Sequence, residues 1–203
     1  NRHQDYAYIG NAVPNNLHWL DVEKMRDAGF RIIRSAHYPQ DPAFMDACDE
    51  LGMFIIVATP GWQYWNPEPV FEELSDIRNM VRRDRNHPSV LLWEPVLNET
   101  AFPESFAQNA YRATHEEYPA PGCYAAIDDK SKGAMGYDVV YTAPKNEAFY
   151  RNAGKSCFTR EYGDCVDDWN SHNSYSRVAR EWGEEPQIRQ AQHYARKDYG
   201  GSL

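Results

Sequence analysis

The sequence predicts an α/β fold and, within that class, a (β/α)8 barrel. Two observations carry this. Short apolar runs alternate with longer amphipathic stretches, as in repeated β-α units. Six of these runs read as strands, and no glycine-rich phosphate loop follows any of them, which disfavours an open dinucleotide-binding sheet. A complete barrel takes about 250 residues, whereas this chain has 203. The expectation is therefore an incomplete barrel, one domain over residues 1–203, with the first and eighth strands missing or partial. Asn1-Arg2-His3-Gln4-Asp5 reads as the loop after an absent first strand, and Gly200-Gly201-Ser202-Leu203 as the approach to an absent eighth. The chain is expected to be a piece of a longer one.

The elements follow in order. Asp21 to Ala28 reads as a helix with Leu20, Met25 and Ala28 inward, stopped by Gly29. Phe30 to Arg34 is a short strand. Asp41 looks like an N-cap with Pro42 at the first helical position, opening a helix to Leu51 that Gly52 ends. Met53 to Ala58 is a continuous apolar run of the buried parallel type. Thr59 to Pro69, with Pro60, Gly61, Trp62, Tyr64, Trp65 and Pro67, is a loop carrying exposed rings. Phe71 to Asn86 is helical with a basic end at Arg82, Arg83 and Arg85. Val90 to Val96 is the next strand, and Phe102 to Tyr118 the next helix. Tyr124–Ile127, Val139–Tyr141 and Ser156–Arg160 complete the strands. A final helix runs from about Pro186 to Lys197.

The formal net charge is −9, with no Lys/Arg-rich run, so neither nucleic acid nor an anionic membrane is an expected partner. No stretch is long and apolar enough to span a bilayer. Cys48, Cys123, Cys157 and Cys165 show no metal-type spacing and read as free, mostly buried thiols. The compartment is left open. With 6 Trp and 14 Tyr the chain is rich in rings, which chiefly build cores and can also serve as flat platforms for sugars.

In a barrel, chemistry sits at the C-terminal ends of the strands. Those positions hold Ser35, His37 and Tyr38 after Arg34; Asn98 and Glu99 after Val96; Tyr141 and Thr142; and Arg160, Glu161 and Tyr162. Two strand-end carboxylates beside an Arg, a His and an Asn suit glycoside hydrolysis. That reaction takes a carboxylic acid to protonate the leaving oxygen and a carboxylate on the opposite face. A carboxylate next to Arg34 stays ionised, as a nucleophile must.

Six segments then occur in a telling order: Asn1-Arg2-His3-Gln4-Asp5, Ile33-Arg34-Ser35-Ala36-His37-Tyr38-Pro39, Cys48-Asp49-Glu50-Leu51-Gly52, Arg83-Asp84-Arg85-Asn86-His87-Pro88-Ser89, Asn98-Glu99 and Glu161-Tyr162-Gly163. Together they resemble the barrel domain of family 2 glycoside hydrolases, over about residues 1 to 165. The resemblance implies a retaining exo-β-glycosidase, with β-galactosides the favoured substrate. It gives Glu99 the acid/base role and Glu161 the nucleophile role. It has Asn98 hold the sugar 2-hydroxyl, Arg34 and Tyr141 support the nucleophile, and His37 and His3 contact the sugar. Asp5 and Trp62 complete the expected substrate-binding set, with Trp62, like Trp65, read equally as a sugar platform or as a ring packed against a neighbouring domain. It implies no cofactor, and β-sandwich domains elsewhere in the parent chain as partners.

Departures are also visible. Thr59 stands where β-galactosidases of the family carry an acidic residue that helps bind magnesium, so no metal requirement is expected. Glu94-Pro95-Val96-Leu97 replaces a glycine-containing turn, and Gln4 stands where Glu is frequent. No Asn-x-Lys signature of a glucuronic-acid pocket is present. The alternatives are a β-mannosidase, a β-glucuronidase, an endo-acting relative, or an inactive barrel that only binds carbohydrate. A metal-dependent hydrolase using His3, Asp5 and His37 lacks a His-x-His pair and the remaining ligands. His87 reads as a structural helix-end histidine, and Asp49-Glu50 as a helix face without chemical role.

Overall fold

The structure, a computed structural model, describes residues 1–6, 8–61, 65, 70–97, 100–142 and 146–158. Among these, six short strands run parallel in chain order. β1 (Ile32–Arg34), β2 (Phe54–Ala58) and β3 (Val90–Glu94) form one sheet, and β4 (Ala126–Asp128), β5 (Val139–Tyr141) and β6 (Ser156–Phe158) a second. A parallel bridge between Trp93 and Ala125 links them, and another sets Arg2 beside Ser35 on the free edge of β1. The result is one arc of parallel strands that does not close among the described residues.

Alternation along the strands divides the side chains between two faces. Ile33, Ile55, Val57 and Trp93 pack outward with Phe44, Met45, Met80 and Val81 of the helices. Ile56, Leu92, Ala126 and Tyr141 pack together on the concave side, with Ile32, Leu91, Val139 and Phe158 against them. A third cluster joins Ile77, Phe106, Ala110 and Ile127.

The helices serve as crossover connections between parallel strands, except the first, which precedes β1. They are α1 (Asn15–Asp27), α2 (Pro42–Leu51), α3 (Val70–Asp84), α4 (Glu104–Glu117) and a short α5 (Glu147–Asn152). α2 matches its expected bounds: the Asp41 carboxylate accepts the Ala43 N–H at 2.8 Å, Pro42 takes the first turn, and Gly52 closes the helix in the left-handed region at φ 72°. Other expectations are corrected. α1 starts six residues before Asp21, directly after Pro14. It buries His18 and Val22, while Leu20 and Ala28 face solvent and Met25 is only partly covered. A polar residue thus holds a core position that hydropathy assigned to Leu20. Trp65 was expected as an exposed loop ring; it is half-buried against Phe106, at 6.3 Å between ring centroids. α5 was not expected at all.

Cys48 and Cys123 are buried free thiols, and Cys157 is partly covered. Burial pushes the Cys48 thiol up to about 12 and that of Cys123 to about 11. His87 is structural, as expected. Its Nδ1 lies 2.6 Å from Asp49, whose other oxygen accepts the Ser89 N–H at 3.0 Å. The helix expected at 186–197, Cys165 and the acidic stretch Asp164, Asp167 and Asp168 lie outside the described residues.

Candidate active site at the C-terminal edge of the strands

Arg34, Glu94 and Tyr141 each end a strand, two residues beyond Ile32, Leu92 and Val139. With a two-residue period, all three point to the concave side where those apolar residues pack. The inner wall therefore changes from aliphatic to ionic at its C-terminal rim.

The ionic part is a fork-to-fork pair. Arg34 Nε donates to Glu94 Oε2 and Nη2 to Oε1, both at 2.7 Å, with side chains 3% and 1% exposed. Such planar bidentate pairs are the strongest ion-pair geometry available to side chains. Arg34 Nη1 turns the other way, donating to Asn1 Oδ1 at 3.3 Å and lying 3.4 Å from His37 Nε2. Guanidinium only donates, so His37 Nε2 accepts in that contact. The Arg34 guanidinium carbon sits 6.0 Å from the centre of the buried Tyr141 ring.

The opening segment is pinned to this rim by a residue that sequence reasoning passed over. Arg2 is 5% exposed. Its backbone bridges β1, with Arg2 N–H donating to Arg34 O at 2.8 Å and Ala36 N–H to Arg2 O at 3.2 Å. Its guanidinium donates to Asp21 at 2.9 Å, to Gln40, and to His18 Nδ1 at 3.0 Å, and lies over the Phe44 ring at 4.3 Å. Burial, and then Arg2 itself, hold His18 below its ordinary pKa.

Gln4, two residues after Arg2, is anchored as well. Its N–H donates to Tyr38 Oη at 2.8 Å, and its Oε1 accepts the Asp41 N–H at 2.8 Å. His3 is therefore held from both sides, with its ring 6.2 Å from that of His37. Loss of solvent around the ring lowers the His3 pKa, with Asp5 opposing and His37 and Arg34 adding to the fall. Asp5 is exposed. Among the described residues no group of three or more His, Cys, Asp or Glu is placed to hold a metal ion, so His3, Asp5 and His37 do not form such a group.

At the neighbouring strand ends, Thr142 Oγ1 donates to Asp129 Oδ2 at 2.6 Å. Asn98, Glu99, Glu161 and Trp62 lie outside the described residues. Of the expected set, the structure brings together Arg34, His37, His3 and Tyr141 and adds Glu94 and Arg2. The sequence showed Glu94 only as an acidic residue inside the strand expected over Val90–Val96, at the head of the Glu94-Pro95-Val96-Leu97 departure; the strand in fact ends at Glu94. Arg2 gave no signal beyond its place in the opening motif.

Residues 1–120 match the family described as "Glycosyl hydrolases family 2, TIM barrel domain". That is over half of the chain. The chain belongs to glycosyl hydrolase family 2. A β-galactosidase of Thermoanaerobacterium thermosulfurigenes is 39% identical over 121 residues, covering 59% of this chain and 17% of that protein. A β-glucuronidase of Streptococcus agalactiae is 22% identical over 200 residues, covering 89% of this chain and 32% of that one. Among solved structures, an FMN-binding β-glucuronidase from Facaelibacterium prausnitzii aligns with TM-score 0.69 at 20% identity, over 80% of this chain and 29% of that one. At that identity the likeness speaks for the fold, and the arc of parallel strands is accordingly part of a TIM barrel domain. This family 2 chain spans less than a third of these three relatives.

Proposed function

We propose that this chain forms the core of the catalytic barrel of a retaining exo-β-glycosidase acting on β-galactosides. The observation that carries the reading is the family match over residues 1–120, which contains the ordered motifs around Arg34, His37 and Asn98-Glu99. Glu99 protonates the glycosidic oxygen while Glu161 attacks the anomeric carbon, and the aglycone leaves as its alcohol. Glu99, now ionised, takes a proton from water as that water displaces Glu161 from the sugar, regenerating both groups. Retention requires the two carboxyl groups about 5–5.5 Å apart. Asn98 holds the 2-hydroxyl, His3 and His37 contact the glycone, Asp5 and Trp62 line its approaches, and Arg34 with Tyr141 supports Glu161.

The arc closes into a (β/α)8 barrel with strands outside the described residues, and β-sandwich domains of the parent chain border the site. The family match over residues 1–120 supports the barrel, and the length of each relative beyond its match leaves room for further domains. A β-glucuronidase is the second reading, favoured by relatives and structural neighbours of that name.

The test uses the full-length protein, wild type and Glu161→Gln, on a panel of aryl β-glycosides. Turnover of the galactoside is expected, with loss of at least about a thousandfold in the variant, since the covalent step is then removed. Turnover of the glucuronide instead would select the second reading. No turnover of any glycoside would contradict both.

A further inference from the structure

The opening six residues divide their contacts by position. Asn1 and His3 meet the rim: Asn1 Oδ1 accepts from Arg34 Nη1 at 3.3 Å, and the His3 ring lies 6.2 Å from that of His37. Arg2, Gln4 and Tyr6 bond instead to α1 and to the cap of α2. Arg2 and Tyr6 share one partner there. Asp21, in the second turn of α1, accepts through Oδ2 from Arg2 Nη2 at 2.9 Å and Nε at 3.3 Å, and through Oδ1 from the Tyr6 hydroxyl. One carboxylate thus grips the segment on both sides of His3. We propose that Asp21, a residue of the outer helix layer, is a positioning residue for glycone binding, acting through Arg2 and Tyr6 to set where the His3 ring stands at the rim. The proposal rests on the reading that His3 contacts the glycone.

Three observations support it. The two grips are strong ones. Arg2 and Asp21 are 5% and 23% exposed, and hydrogen bonds between ionised groups held away from water are short and directional. Burial, then the bond to Asp21, pushes the Tyr6 phenol up to about 12, so it remains a donor to that carboxylate. Second, the segment has little slack. Arg2 is bridged to β1 through its N–H on Arg34 O at 2.8 Å and its carbonyl under the Ala36 N–H at 3.2 Å, and Tyr6 is paired with Gly10 by reciprocal bonds of 3.0 and 2.9 Å. Only three residues stand between these anchors, so His3 moves when one of them gives. Third, among the described residues no group hydrogen-bonds the exposed His3 side chain. Its place at the rim is therefore set by the backbone that Arg2 and Tyr6 hold.

The experiment measures kcat and KM of the full-length protein on the aryl β-glycoside it turns over best, as wild type, Asp21→Asn, His3→Ala and the double variant. An amide offers one acceptor oxygen where the carboxylate offers two, so Asp21→Asn loosens one grip and weakens the other. It is expected to raise KM about tenfold with kcat within about twofold, since a glycone contact made alike in ground and transition states is lost as uniform binding. In the His3→Ala background the same substitution should move KM by less than about twofold, because residues that act through one another are not additive.

A purely structural Asp21 would lower the fraction of folded enzyme, and with it the apparent kcat, while KM of the folded fraction stayed in place. Wild-type KM in Asp21→Asn therefore overturns the proposal, and so does an equal rise of KM in both backgrounds. Should Asp21→Asn fail to fold, Asp21→Glu, which keeps the charge and moves both oxygens by one methylene, decides: a raised KM that vanishes in the His3→Ala background supports the proposal, and wild-type KM overturns it. An inactive wild type removes the glycosidase reading and this proposal with it. An active wild type whose KM is unmoved by His3→Ala removes the glycone contact of His3 and, again, the proposal. An active wild type with a raised KM in His3→Ala and indifferent Asp21 variants removes the proposal alone.

Discussion

Two arginine–carboxylate forks in this molecule have the same geometry and opposite settings. Arg34 meets Glu94 through two bonds of 2.7 Å, and Arg82 meets Glu117 through two bonds of 2.7 Å. The first pair joins strand ends, with side chains 3% and 1% exposed. The second joins α3 to the last residue of α4, with Arg82 55% exposed and Glu117 10%. Arg78 adds a third donor to Glu117 at 3.0 Å. A carboxylate at a helix C-terminus opposes the dipole, and two arginines from the neighbouring helix answer it. Distance alone therefore says little about what a pair contributes. Desolvation and what would be stranded by removing one partner decide it.

The largest expected effect is on Arg34. Replacing it with Met strands Glu94 as a buried, unpaired carboxylate and should destabilise the protein by about 3–5 kcal/mol. Arg82→Met, where water and Arg78 remain available to Glu117, should cost no more than about 1 kcal/mol. Urea midpoints of the two variants check this, and equal shifts would break the comparison.

A smaller effect sharpens it through pH. The Glu117 pKa is held down, first by the Arg82 hydrogen bonds, with burial opposing. Its folded value lies below its unfolded one. The stabilisation is therefore fully present above the ordinary Glu range and is lost as pH falls through the lowered folded value. Wild type and Glu117→Gln should differ in unfolding midpoint near neutral pH and converge in acid. A gap that widens on acidification would contradict the sign.

The same contrast explains what the sequence made legible. α2 was readable to the residue because Asp41, Pro42 and Gly52 act through local sterics and one short capping bond, all encoded within a few positions. The inner face of α1 was not, because His18 is buried through its bond to Arg2, sixteen residues away, and no hydropathy pattern encodes a partner. α5 spans only six residues, too short for periodicity to register. At the site, Arg34, His37 and His3 were legible as strand-end or motif residues. The Arg34–Glu94 pair links positions sixty apart, and only the parallel order of β1, β2 and β3 reveals it. Glu99 and Glu161 rest on motif and order, which name chemical roles without giving distances.

The central claim is that Glu161 carries the sugar in a covalent intermediate. The direct measurement is to incubate the full-length protein with an activated 2-deoxy-2-fluoro-β-galactoside, whose fluorine slows hydrolysis of the glycosyl-enzyme by destabilising the oxocarbenium-like transition state, and to locate the added mass by peptide mass spectrometry. A single fluorosugar on the peptide containing Glu161, absent in Glu161→Gln, is the expected result. A label on another carboxylate, or hydrolysis of the ordinary galactoside with inversion and no label, would contradict the account.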